Sequence, residues 1–66
     1  MKNSVKVERA ILDITQQQLA NAIGVSRNTI NSIESGRYIP STVLALKIAR
    51  YFGKPTDDIF KLEEDD

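Results

Sequence analysis

No cysteine and no histidine occur among the 66 residues of this chain. Disulfides are therefore excluded, and with them the usual covalent support of a small domain. A zinc site loses its two commonest ligand types. Nucleophilic catalysis by a Cys–His or Ser–His pair is excluded, and no other nucleophile–base spacing replaces it, so neither an enzyme nor a cofactor is expected. No apolar run approaches the roughly 18 residues needed to span a membrane. The start, Met1-Lys2-Asn3-Ser4, leads into a charged segment and not into the apolar stretch of a signal peptide. The expectation is a soluble cytoplasmic protein with no membrane partner.

The length allows one domain. A core of this size supplies only about 3–5 kcal/mol, so a further support is expected. With disulfides and zinc set aside, oligomerisation is the remaining one. Net charge is zero, which taken alone argues against a nucleic-acid binder. The distribution reverses that reading. Residues 1–56 hold eight Lys/Arg against three acids (Glu8, Asp13, Glu34), or +5, whereas residues 57–66 hold Lys61 against six acids, or −5. A basic body, residues 1–60, thus precedes an acidic tail, residues 61–66. The plain role of such a tail is to keep the protein in solution.

Prolines and glycines are few, and they divide the chain into short helices. The first is predicted from about Asn3 to Leu12, with Val5, Arg9 and Leu12 inward and Val7 and Ile11 as a second, offset stripe. Asp13 is its stop, because Asp tolerates the left-handed conformation. The second is predicted over Gln16–Ile23, with Thr15 and Gln18 as a capping box and Gly24 as its end. The third spans Arg27 to about Ser35, capped by Ser26 and stopped by Gly36. Ile30 and Ile33 form its narrow apolar face. Its other positions are rich in Asn, Ser and Thr, which are mediocre helix formers. Those side chains do carry groups suited to base edges and phosphates. A fourth helix is predicted over Thr42–Phe52, with Leu44, Ala45, Ile48, Ala49 and Phe52 inward. A short fifth follows a Thr56 cap, with Asp57 and Asp58 at its positive end. Phe60–Glu63 is either a short strand or an extended tail.

Between helices two and three lies Gly24-Val25-Ser26, a tight glycine turn with an apolar plug, which is helix-turn-helix geometry. Thr15-Gln16, Leu19-Ala20, Gly24-Val25-Ser26, Ile30, Ile33-Glu34 and Gly36 together resemble the Xre/Cro, or lambda-repressor-like, family. Pro40-Ser41 and Leu44-Ala45-Leu46-Lys47-Ile48-Ala49 resemble its branch of small stand-alone regulators. The likeness covers about residues 3–60. It departs at Asp13, where glycine is common, and at Glu8 and Thr42, where leucine is common. The resemblance implies an all-α, five-helix DNA-binding domain with its motif at about residues 16–35, bound to double-stranded DNA with helix three in the major groove. It implies a phosphate contact at Gln16, beside Gln17, and base contacts from Arg27, Asn28, Asn31 and Ser32. Arg27 suits guanine O6 and N7, and Asn28 suits adenine N6 and N7. Thr29 suits a phosphate or a packing role, and Arg37 a phosphate. Tyr38 reads as a loop-packing aromatic.

Two structural expectations follow. Glu34, at the negative end of helix three, needs a cation. Arg9, on the inner side of helix one, needs a carboxylate. They are expected to pair, as the resemblance also implies. A homodimer reading a palindrome is expected as well, since one recognition helix reads too few base pairs to single out a site. Tyr51, Ile59, Phe60 and Leu62 are the candidate interface; the competing reading is that Phe60 closes the monomer's own core. The sequence leaves open repression as against activation. It also leaves open an antitoxin-like interaction module whose acidic tail engages a basic protein partner.

Overall fold

The computed structural model describes residues 1–66. It opens on a two-residue strand, β1 (Lys2–Asn3). Five helices follow: α1 (Val5–Leu12), α2 (Gln16–Ile23), α3 (Arg27–Glu34), α4 (Thr42–Phe52) and α5 (Thr56–Ile59). A last strand, β2 (Phe60–Lys61), pairs antiparallel with β1, setting Lys2 opposite Lys61 and Asn3 opposite Phe60. The helical architecture is the one expected, and of the two readings left open for Phe60–Glu63 a short strand forms, over Phe60–Lys61. No helix is long and apolar enough to cross a membrane.

Local chemistry sets the helix ends. Thr15 and Gln18 form a reciprocal capping box at the start of α2. Each side chain satisfies a backbone N–H that the first helical turn leaves unpaired. Ser26 and Ser41 accept from Thr29 N and Leu44 N to start α3 and α4. Asp13 ends α1 at φ 55°, and Gly24 ends α2 at φ 79°. Both take the left-handed conformation that lets the chain reverse.

Eleven buried apolar residues make one core. Val5 of α1, Leu19, Ala20 and Ile23 of α2, Ile30 and Ile33 of α3, and Leu44, Ile48 and Ala49 of α4 meet there, closed by Ile59 and Phe60. Val25, in the turn between α2 and α3, packs against them as the expected plug.

Several expectations are corrected. Helix one starts at Val5, because Lys2 and Asn3 are drawn into the strand pair. Asn3 caps the helix from outside it: its Oδ1 accepts from Val5 N, while its Nδ2 donates to the Ile33 carbonyl at 2.9 Å. Leu12 is 49% exposed, since it is the last residue of α1 and lies beyond the core. Its inward place is taken by Glu8, which is buried and paired with Lys54 at 2.9 Å. Phe52 is only partly buried. Thr56 is the first residue of α5 and gives no side-chain cap. Ile59 and Phe60 are buried in the chain's own core, at 0% and 8% exposure, so neither is free to meet a partner. The last residues turn back toward the start, with Glu63 and Asp66 each about 3 Å from the Met1 amino group.

Candidate nucleic-acid interface

Helix α3 is held by one narrow side. Ile30 and Ile33 point into the core, while Asn28, Asn31, Ser32 and Ser35 fall on the opposite side and Arg27 projects from the first turn. Arg27, Asn28 and Asn31 are exposed, and Ser32 and Thr29 are partly so. Neither Arg27 nor Asn28 makes a side-chain hydrogen bond within the protein, so their donors and acceptors face outward uncommitted. Thr29 is already engaged, its hydroxyl lying 3.0 Å from the capping Ser26 hydroxyl. Asn31 is oriented from the following loop, where Arg37 Nη2 donates to its Oδ1 at 2.9 Å. That loop folds back on the end of α3, since Arg37 N and Tyr38 N both donate to the Ser32 carbonyl. Asn28, Thr29, Ser32 and Tyr38 consequently line one open cleft.

Gln16 and Gln17 stand at the start of α2. Gln17 Nε2 bonds Asn21 Oδ1 on its own helix at 2.8 Å. Gln16 is tied to α3: its Nε2 donates to Glu34 Oε1 at 3.1 Å. The same carboxylate receives Arg9, with Nε on Oε2 at 2.7 Å and Nη2 on Oε1 at 3.1 Å. Arg9 Nη1 also donates to the Ile14 carbonyl at 2.9 Å. Arg9 therefore joins α1, the turn before α2 and the end of α3 in one polar knot. The Arg9 and Glu34 side chains are only 15% and 5% exposed. Burial pushes the Glu34 carboxyl up, but hydrogen bonds from Arg9 and Gln16 and the charges of Arg9 and Lys6 outweigh it. The net effect holds Glu34 below the ordinary carboxylate value. The Arg9 guanidinium is held above its own ordinary value by the hydrogen bond to Glu34.

The only carboxylate on α3 is thus neutralised by a fixed partner. Exposed cations at Arg27 and Arg37 flank the helix. A face with uncommitted amides and hydroxyls between cations is suited to base edges bordered by phosphates. The sequence reading did not find Asn3, the Glu8–Lys54 pair or the Gln16–Glu34 bond. One signal was available for a further residue: Lys6 lies three positions before Arg9, hence on the same side of α1.

Two short helices joined by a three-residue glycine turn, the second presenting a polar outer face, define a helix-turn-helix DNA-binding domain. The sequence profile described as helix-turn-helix matches residues 5–59. An uncharacterized HTH-type transcriptional regulator of Methanocaldococcus jannaschii is 52% identical over 66 residues, covering all of both chains. A second such regulator, from Bacillus subtilis, is 46% identical over 65 residues, or 98% of each chain. The cryptic phage CTXphi transcriptional repressor of Vibrio cholerae is 34% identical over 55 residues, 83% of this chain and 47% of its own length. The chain belongs to the helix-turn-helix family of transcriptional regulators, of the Xre or lambda-repressor-like kind.

Proposed function

We propose that this regulator is a repressor that binds a palindromic operator as a homodimer, with α3 of each copy in the major groove. The observation that carries the reading is the outer face of α3, where Arg27 and Asn28 have no partner within the protein and Asn31 and Ser32 continue the same side. In this reading Arg27 and Asn28 meet base edges, Asn31 and Ser32 meet bases further along, and Arg37, Gln16, Gln17 and Thr29 lie toward the backbone. The repressor role rests on the likeness to the CTXphi repressor.

The dimer reading is supported by apolar surface that the single chain leaves uncovered. Ile39, Leu46 and Leu62 line one groove and are 59%, 53% and 81% exposed. Val43, one helical turn before Leu46, is 64% exposed. The groove starts two residues past Arg37. In this reading a second copy seats there, and the two α3 helices enter half-sites about 34–36 Å apart. Of the residues expected at the interface, Leu62 fits this groove; Tyr51 is 40% exposed and lies in a separate one, beside Ala22, Ile23, Lys47 and Arg50.

Selecting random duplex DNA with the purified protein tests the reading. A two-fold symmetric consensus is expected, bound with strong salt dependence. Recovery of no consensus, or a small protein partner co-purifying in place of DNA, supports the interaction-module alternative.

A further inference from the structure

The knot around Glu34 opens outward as a polar cleft lined by Lys6, Arg9, Gln16, Asn31, Glu34 and Ser35. None of its lining residues is an apolar one. Two of its residues, Gln16 and Asn31, border the face already assigned to DNA, so the cleft and that face share one side of the molecule. Its charges are unequal, with two cations and one carboxylate. Arg9 has its charge balanced by Glu34, and three of its five N–H groups are bonded to Glu34 and the Ile14 carbonyl. Glu34 is engaged likewise, receiving Arg9 and Gln16. Lys6 is exposed and forms neither a salt bridge nor a side-chain hydrogen bond. The excess positive charge of the cleft therefore sits at the Lys6 ammonium.

We infer that Lys6 binds a DNA backbone phosphate at the mouth of this cleft, so that α1 extends the contact beyond the helix-turn-helix. The inference rests on the DNA-binding reading above. A lysine serves this purpose as a compact charge on a flexible stem, needing no fixed geometry. Glu34 lies close by and, unpaired, would repel a phosphate. Arg9 and Gln16 occupy its oxygens and remove that obstacle. The ion pair that holds the fold thereby also makes the cleft acceptable to an anion.

The test is the salt dependence of operator binding by the full chain, compared among wild type, Lys6→Gln, Lys6→Arg and Lys47→Gln. Lys47 lies in the separate groove between α2 and α4 and controls for loss of charge at a distance. Lys6→Gln is expected to weaken binding about 3- to 10-fold at 0.1 M salt, alike for operator and unrelated DNA. It should also reduce the slope of log K against log salt by about 0.9 per copy. Lys6→Arg is expected to keep the slope, Lys47→Gln to stay near wild type, and all four proteins to melt within a degree or two of one another. A Lys6→Gln slope equal to wild type overturns the inference, as does an equal fall in Lys47→Gln or a selective loss on the operator alone. A wild-type protein without salt-dependent DNA binding overturns instead the functional reading beneath it.

Discussion

Glu8 of α1 and Lys54, in the turn after α4, are joined at 2.9 Å across 46 residues of sequence. The Glu8 side chain is 10% exposed and that of Lys54 43%. The two ends of this bond are therefore not equivalent. Lysine can be solvated without its partner, whereas the glutamate cannot. Lys54→Met should leave a buried carboxylate uncompensated and cost about 1.5–3 kcal/mol, the range of hydrogen bonds to charged groups. Glu8→Leu should be neutral or stabilising, because an apolar side chain avoids the desolvation that the carboxylate pays. Urea denaturation of the two variants checks the asymmetry; equal losses would show that Glu8 is as well hydrated as Lys54.

Asn3 ties β1 to α3 and caps α1 with one side chain. Asn3→Ala removes both bonds and should destabilise the fold by about 1–3 kcal/mol. Asn3→Asp retains the acceptor toward Val5 N but loses the donor toward the Ile33 carbonyl. It should fall no nearer to wild type than Asn3→Ala, since its charge also faces that carbonyl. Thermal melts of both variants check this, and wild-type stability in Asn3→Ala would remove the tie from the account.

The Arg9–Glu34 pair gives a pH signature. Glu34 in the folded protein is held below the ordinary glutamate value of 4.5, so the folded state releases its proton more readily than the unfolded chain. Its contribution is complete above about pH 4.5 and is lost as pH falls through the depressed folded value. Stability measured from pH 6 down to 2.5 should decline on the acid side, and Glu34→Gln should flatten part of that decline. At neutral pH, Glu34→Ala or Arg9→Ala should cost about 3–5 kcal/mol, since each strands a mostly buried charge. An acid limb unchanged by Glu34→Gln would contradict the assignment.

The groove of Ile39, Leu46 and Leu62 gives the assembly test. Leu62→Asp and Leu46→Asp should yield folded monomers in sedimentation equilibrium, with operator binding reduced at least tenfold. Phe60→Asp should unfold the chain instead, because Phe60 closes the core. Dimers that survive both leucine substitutions would move the interface elsewhere.

What was legible in the sequence was local. Thr15 with Gln18, Ser26, Ser41 and the left-handed Asp13 and Gly24 act within three or four residues of themselves, and each stands where it was expected. The inward stripes of α2, α3 and α4 followed from their period, except at Phe52 on the end of α4, because those helices pack along most of their length. Helix α1 is different. Its only buried residues are Val5 and Glu8, so a stripe drawn to Leu12 overran the packed part. The two strands have two residues each and carry no period to read. Asn3 read as part of a helix, because its partner carbonyl at Ile33 lies 30 residues away. The polar composition of α3 marked the candidate interface, but the bond from Gln16 to Glu34 depends on how α2 and α3 are set against each other, which no spacing in the chain reveals.

Base reading by the outer face of α3 is probed at its source by Arg27→Ala. Binding of wild type and variant should be measured on the selected operator and on a panel with single base-pair changes. The variant is expected to lose about 1–3 kcal/mol on the operator and to stop discriminating at one position in each half-site, while keeping its preferences elsewhere. Arg37→Ala, measured beside it, should weaken all sequences alike. Unchanged affinity and unchanged base preference in Arg27→Ala would contradict the placement of α3 in the groove.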